Sequence, residues 1–138
     1  MPWTTKLLVI ANRTVDSDEL CAALRARAEA GRIEVTLVAP ADTARQPIAR
    51  RLERAVERLE TSGIPVVGHV GHPDPLVAVM EAWDPRRFDE VIVATLPTDV
   101  SRWLALDLPH RIERLTDARV THVVASPAAG RPLQRAPG

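Results

Sequence analysis

Asn12, Arg13 and Thr14 stand side by side where an apolar run ends, and together they offer an amide, a guanidinium and a hydroxyl to an anion. Thr95 and Thr98 lie at the end of a second apolar run and could add hydroxyls at the same kind of edge. His69, His72 and Asp74 set two imidazoles and a carboxylate close together, a donor set of the zinc type. No fourth ligand is visible beside them, and Asp74 followed by Pro75 reads better as a helix start, so no metal is expected. His110 and His122 are isolated and are read as structural. Cys21 has no base within sequence reach and is read as a small packed side chain. No serine lies in a nucleophile-elbow context, no Walker sequence is present, and neither Asp42 nor Asp99 has a partner for acid–base work. Catalysis has no visible carrier, and no enzyme is expected.

Five short β-rich runs must position these groups: β1 at 6–12 (KLLVIAN), β2 at 33–39 (IEVTLVA), β3 at 65–70 (PVVGHV), β4 at 90–95 (EVIVAT) and β5 at 120–125 (VTHVVA). Most are near-continuous Val, Ile and Leu rather than alternating, the pattern of parallel strands covered on both faces. Helix α1 is expected to open at Asp16, with Glu19 completing a capping box, to bury Leu20, Ala23, Leu24 and Ala28, and to stop at Gly31. Helix α2, from about Gln46 to Ser62, places Ile48, Leu52, Val56 and Leu59 on one stripe and stops at Gly63. Its other face holds Arg50, Glu53, Arg54, Glu57 and Arg58, a solvated surface laced by pairs such as Arg50 with Glu53 and Arg54 with Glu57. Helix α3 starts at Asp74 and Pro75 and carries Leu76, Val79, Met80 and Trp83. The last helical region has two pieces, Val100 to Leu106 and Pro109 to Leu115, the second capped by Asp107.

Strictly alternating strands and helices, joined by right-handed crossovers, give an α/β fold with a single-domain, open, doubly wound, parallel five-stranded sheet over residues 1–125. In such a sheet the crevice beyond the carboxyl ends of β1 and β4 is the default ligand site. It would collect Asn12, Arg13, Thr14, Ala94, Thr95 and Asp107. The blander reading, which we prefer, is that Asn12 satisfies turn backbone and Arg13 is solvated. The tail at 126–138, SPAAGRPLQRAPG, is expected to be disordered. Trp103, in the apolar stretch SRWLALDLP, serves equally well as core or as a partner surface.

Composition bounds what these elements can serve. A chain of 138 residues fits one domain with a full core. Lys+Arg 18 against Asp+Glu 18 gives no net charge, and nucleic acid needs a positive excess, so no nucleic-acid partner is expected. All but one of the basic residues is Arg, and Ala and Pro are abundant too, which we read as compositional bias rather than an arginine-based binding surface. The lone Cys21 allows neither an internal disulfide nor a thiolate zinc site, which points to a reduced cytoplasmic compartment. The apolar stretch from Leu7 to Ala11 is too short for a signal segment, and no run reaches the ~18 residues of a spanning helix, so no membrane association is expected.

Over residues 6–125 the order and lengths of these elements resemble the universal stress protein family. Where that family has Asp, Gly and Ser between its first strand and helix, this chain has Asn12, Arg13 and Thr14, followed by Ser17 and Leu20. GHPDP at 71–75 is similar to the Gly and Pro that lead into the family's third helix, and Asp89 before VIV at 91–93 matches an Asp before its fourth strand. The resemblance implies an adenine nucleotide alpha hydrolase-like sheet with strand order 3-2-1-4-5. The family's nucleotide-binding branch carries a phosphate cradle of two glycines after the fourth strand and a Gly-Ser pair opening the last helix. Glycine suits a cradle because backbone N–H groups must approach the oxygens closely, and a helix N-terminus favours the anion. Here Ala94 and Pro97 stand at the two glycine positions, and Asp107 and Leu108 at the pair. Pro97 has no N–H, Leu108 has no hydroxyl, and Asp107 puts a carboxylate where phosphate would sit. A like charge at about 4 Å costs roughly 1 kcal/mol even in water.

The resemblance therefore implies a non-catalytic stress-response or regulatory module that takes no cofactor and does not bind ATP by the usual motif. It would act through homodimerisation or a protein partner. Dimer contact through the last strand, at Val120, Thr121 and Val123, would cover an edge otherwise exposed. The alternative is an adenine-nucleotide switch, with ATP over β1 and β4 despite the lost glycines. A phosphoacceptor receiver domain shares the strand count but needs an acidic cluster after β1 and an Asp after β3, where this chain has Asn12 and His69.

Overall fold

Residues Leu7 to Ala11 are fully buried, which a strand achieves only in the middle of a sheet with helices on both of its faces. The computed structural model describes residues 3–11, 14–41, 48–95 and 107–124. Its elements run β1 (Thr4–Ala11), α1 (Asp18–Ala30), β2 (Arg32–Pro40), α2 (Ile48–Thr61), β3 (Val66–Gly71), α3 (Pro75–Ala82), β4 (Glu90–Thr95), α4 (Leu108–Thr116) and β5 (Arg119–Val124). The five strands form one sheet in the order β3-β2-β1-β4-β5, and every neighbouring pair is parallel. Leu7 sits opposite Val35 on one side and Glu90 on the other, so β1 is the centre of the register. The expected doubly wound architecture and strand order are both present.

Strand alternation divides the core in two. Leu7, Val9 and Ala11 join Leu20 and Leu24 of α1 and Ile48, Leu52, Ala55 and Leu59 of α2. Leu8 and Ile10 point the other way, into a cluster with Ala78 and Val79 of α3, Phe88, and Leu108 and Ile112 of α4. Burying a Leu or Ile side chain contributes about 1.5–3 kcal/mol. Close approach of α2 to the sheet depends on Gly68, where an added Cβ would meet Leu52 and Val56 at 3.0 Å. At the end of α2, Gly63 turns the chain with φ 83°, a left-handed conformation that suits glycine.

Several local expectations are corrected. The cap of α1 is Ser17, not Asp16: Ser17 Oγ accepts from the Leu20 N–H at 3.1 Å. Asp16 instead turns inward and faces Arg51 and Arg54 of α2 at 3.5 and 3.4 Å. The α2 arginines thus reach back to the β1–α1 turn, Arg58 pairing with Asp18 at 3.0 Å, where the sequence suggested pairs within the helix. Ala55 is the buried member of the α2 stripe and Val56 only flanks it. In α3, Ala78 and Val79 face the core, while Met80 is exposed. α4 begins at Leu108 with Asp107 at the cap position as expected, but Asp107 has φ 55° and its side chain makes no capping bond. Its carboxylate lies instead 3.3 Å from His110 Nδ1. The first helical piece expected at 100–106, Trp103, Pro97 and the tail at 126–138 lie outside the described residues.

One buried charge is fully partnered. Glu90, at the start of β4, accepts from Arg27 of α1 at 2.9 and 2.6 Å and from the Thr121 hydroxyl of β5 at 2.7 Å. The Arg27 guanidinium, followed by the Thr121 bond, outweighs burial and holds the Glu90 carboxyl below its ordinary 4.5. A lowered carboxyl value stabilises the fold above the unfolded value, and that stability is lost as pH falls through the folded one. Glu90→Gln is expected to lower stability by about 1–3 kcal/mol at pH 7. In denaturant titrations between pH 7 and pH 3 the gap from the parent should narrow with acidification; a constant gap would contradict this assignment.

Candidate functional site

The carboxyl end of the sheet is built where β1 and β4 finish side by side, with Ala11 opposite Ala94. Thr14, the first described residue after β1, is completely buried, and its hydroxyl donates to the Ala94 carbonyl at 3.0 Å. The turn is tightened by the Ser17 N–H, which donates to the Thr14 carbonyl at 2.9 Å. Thr14 therefore bridges strand ends that lie far apart in the chain, and its hydroxyl is engaged inside the protein. Ala94 is likewise fully buried, so neither group faces an open crevice.

Thr95, the last residue of β4, is 1% exposed, and its Oγ1 lies 2.8 Å from His122 Nε2 on β5. Burial pushes the His122 imidazole below its ordinary value, so the neutral ring is favoured. His122, read from sequence as isolated, is thus the partner of a candidate site residue. Val93 and His122 are register partners, which brings the ring alongside the end of β4. Asp107 stands at the head of α4 with its carboxylate directed at His110, and no described contact joins it to Thr14 or Thr95. The structure thus joins Thr14 to Ala94, and Thr95 to His122. Asn12 and Arg13 lie outside the described residues.

A polar group that the sequence had placed differently stands beside this edge. Asp16 is 6% exposed, and its carbonyl also accepts from Arg58 at 2.9 Å. Arg51, Arg54 and Arg58 recur on one side of α2 at helical spacing, which is the pattern that could have signalled a shared anionic partner. The space among Val15, Cys21, Ala55 and Leu59 next to it amounts to about 10 Å³, room for no more than a water. Cys21 is buried there as a free thiol, packed as expected.

Of the His69, His72 and Asp74 group, His72 and Asp74 are used by their own turn, while His69 is exposed on β3. His72 Nδ1 accepts from the Asp74 N–H at 2.9 Å, and the Asp74 carboxylate caps α3 through the N–H groups of Leu76 and Val77 at 2.9 and 3.4 Å. Among the described residues no group of three or more His, Cys, Asp or Glu is arranged to hold a metal ion. No helix among them is long and apolar enough to cross a membrane.

This fold is that of the universal stress proteins. A solved structure of a universal stress protein in complex with cAMP superposes with a TM-score of 0.59 at 20% identity, covering 91% of this chain and 100% of that one. A protein of unknown function from Archaeoglobus fulgidus superposes with a TM-score of 0.50 at 13% identity, covering 92% of this chain and 94% of that one. No family model matches the chain, and no curated protein matches it. At these identities the likeness is one of architecture.

The Thr14 bond can be tested directly. Thr14→Val keeps the shape and removes the donor, so stability to denaturant should fall by about 1–3 kcal/mol. Amide exchange at Ala94 and Thr95 should quicken selectively; unchanged protection there would show that the bond does not hold the two strand ends together.

Proposed function

We propose that this chain is a universal stress protein-like regulatory module that is non-catalytic, acts in the cytoplasm through homodimerisation or a protein partner, and does not bind ATP by the usual glycine motif. The observation that carries this reading is the engagement of the described groups at the ends of β1 and β4. Thr14 is bonded to the Ala94 carbonyl, Ala94 and Thr95 are buried, and Asp107 brings a carboxylate to the head of α4. A triphosphate needs free N–H donors and room at that edge. The lone buried Cys21 supports a reduced compartment.

Homodimerisation would use β5, one of the two sheet edges. The side chains of Val120 and Val123 pack against their own core, and Thr121 donates to Glu90, so the available contact is the outer main-chain edge. Exposed Val124 and Leu115 could flank it. An unpaired strand edge carries free N–H and C=O groups, and pairing across a two-fold axis would satisfy them.

A second reading is favoured by the similar structure that holds cAMP. A cyclic monophosphate presents a single phosphate, so the loss of a triphosphate cradle weighs less against it than against ATP. The carboxyl edge of β1 and β4 would remain the place for it.

Two measurements separate these readings. Ligands stabilise the state they bind, so thermal unfolding should be unmoved by ATP with magnesium, and a rise would overturn the leading reading. A rise with cAMP alone would favour the second. In sedimentation at about micromolar concentration, the range of ordinary specific complexes, the protein should run as a dimer and Val124→Glu as a monomer. A monomeric parent protein would retire the dimer.

A further inference from the structure

The face of the sheet that carries α3 and α4 is not covered out to its β3 edge. On the opposite face α2 packs along β3, whereas α3 is only 8 residues long and lies over β2 and β1 and against α4. The start of α3 comes close to β3 because Gly71 has no side chain: a Cβ there would stand 3.0 Å from Val38 and 3.1 Å from Ala78. Past that contact a cavity of about 310 Å³ opens between the helix and the strand.

The floor of this cavity is apolar and its rim is charged. Val38, Ala78 and Phe88 form the floor, and all three are buried. Exposed His69 from β3, Glu81 from α3 and Arg87 from the turn before β4 stand around it. Among the described residues, Glu81 and Arg87 make no ion pair with each other or with any other group. Arg87 lies over the Phe88 ring, 5.6 Å from its centroid, which places a guanidinium directly above the apolar floor.

We propose that this groove binds a small zwitterion of the α-amino-acid class with an apolar side chain. Its carboxylate would meet Arg87, its ammonium would meet Glu81, and its side chain would lie on Val38, Ala78 and Phe88. A simple anion placed there meets Glu81, and a simple cation meets Arg87, so each is opposed where the zwitterion is matched. An uncharged apolar molecule would strip water from both charges without replacing it. The volume stands at the lower end of the range for small-molecule pockets, which suits a ligand of amino-acid size. The site lies on a different part of the molecule from the β1 and β4 edge, and the proposal does not depend on how that edge is used.

The test is an NMR titration of the full chain with L-leucine, 4-methylpentanoate, which lacks the ammonium, and isoamylamine, which lacks the carboxylate. L-Leucine should give saturable shifts at Val38, Ala78 and Phe88, and each analogue should bind at least about tenfold more weakly. Glu81→Gln should weaken L-leucine about tenfold and bring 4-methylpentanoate level with it; Arg87→Gln should do the same for isoamylamine. Both replacements are at the surface, so spectra of the unliganded variants should match the parent away from the groove. No saturable shift with L-leucine or L-phenylalanine up to about 10 mM would overturn the proposal. So would equal binding of the three ligands, shifts confined to the ends of β1 and β4, or an unchanged preference in Glu81→Gln.

Discussion

The double burial of β1 sets the terms for everything around it. Leu7, Val9 and Ala11 need apolar cover on one side, Leu8 and Ile10 need it on the other, and five consecutive residues have no exposure at all. A central strand of this kind must be hydrogen-bonded on both edges, which β2 and β4 do in parallel register. Parallel pairing in turn forces each connection to cross the sheet, and the helices in those crossovers supply the cover. Polar groups at strand ends are then enclosed, and each must find a partner inside the protein.

Both ends of β4 illustrate that demand. Glu90 at its start and Thr95 at its finish are buried, and both are satisfied from β5, by Thr121 and His122. These are successive residues of β5 and so point to opposite faces of the sheet. The outermost strand is therefore fastened by side chains on both sides, in addition to its ladder to β4. The two fastenings share a pH direction. Glu90 holds its charge below its ordinary value, and His122 resists protonation because it is buried. In each case the unfolded chain takes up the proton more readily, so acidification weakens the hold on β5 from both faces.

How much of this could be read from the residues follows from the range of the forces involved. The strands were legible because Val, Ile and Leu runs report burial on two faces, and β4 was placed from Glu90 to Thr95, its observed bounds. Helix phase was legible as well, apart from neighbours such as Val56 and Ala55, where one step around the helix decides which is buried. Caps were harder. Asp16 and Ser17 are equally good caps in isolation, and the choice is made by Arg51 and Arg54, which belong to another helix. At the candidate site Thr14 and Ala94 were each proposed for the same edge, but the bond between them depends on parallel register across 80 residues of separation. No local pattern encodes it. His122 was passed over for the same reason, since its partner lies on a neighbouring strand.

Likeness of fold fixes the frame without fixing where a ligand sits. In a doubly wound sheet the usual opening arises where crossovers part to either side at the centre, and here Thr14 ties the ends of the two strands together while Ala94 and Thr95 are buried. A second kind of opening arises where a helix is too short to cover the strand beneath it. The 8-residue α3 leaves that gap beside β3, and Gly71 sharpens it by letting the helix start close to the strand. At the first, the described polar groups are joined within the protein, while at the rim of the second Glu81 and Arg87 make no ion pair among the described residues and stand beside an apolar floor. Unpaired charge beside buried hydrocarbon is the arrangement in which a bound molecule gains most from matching both, because solvent can match only one.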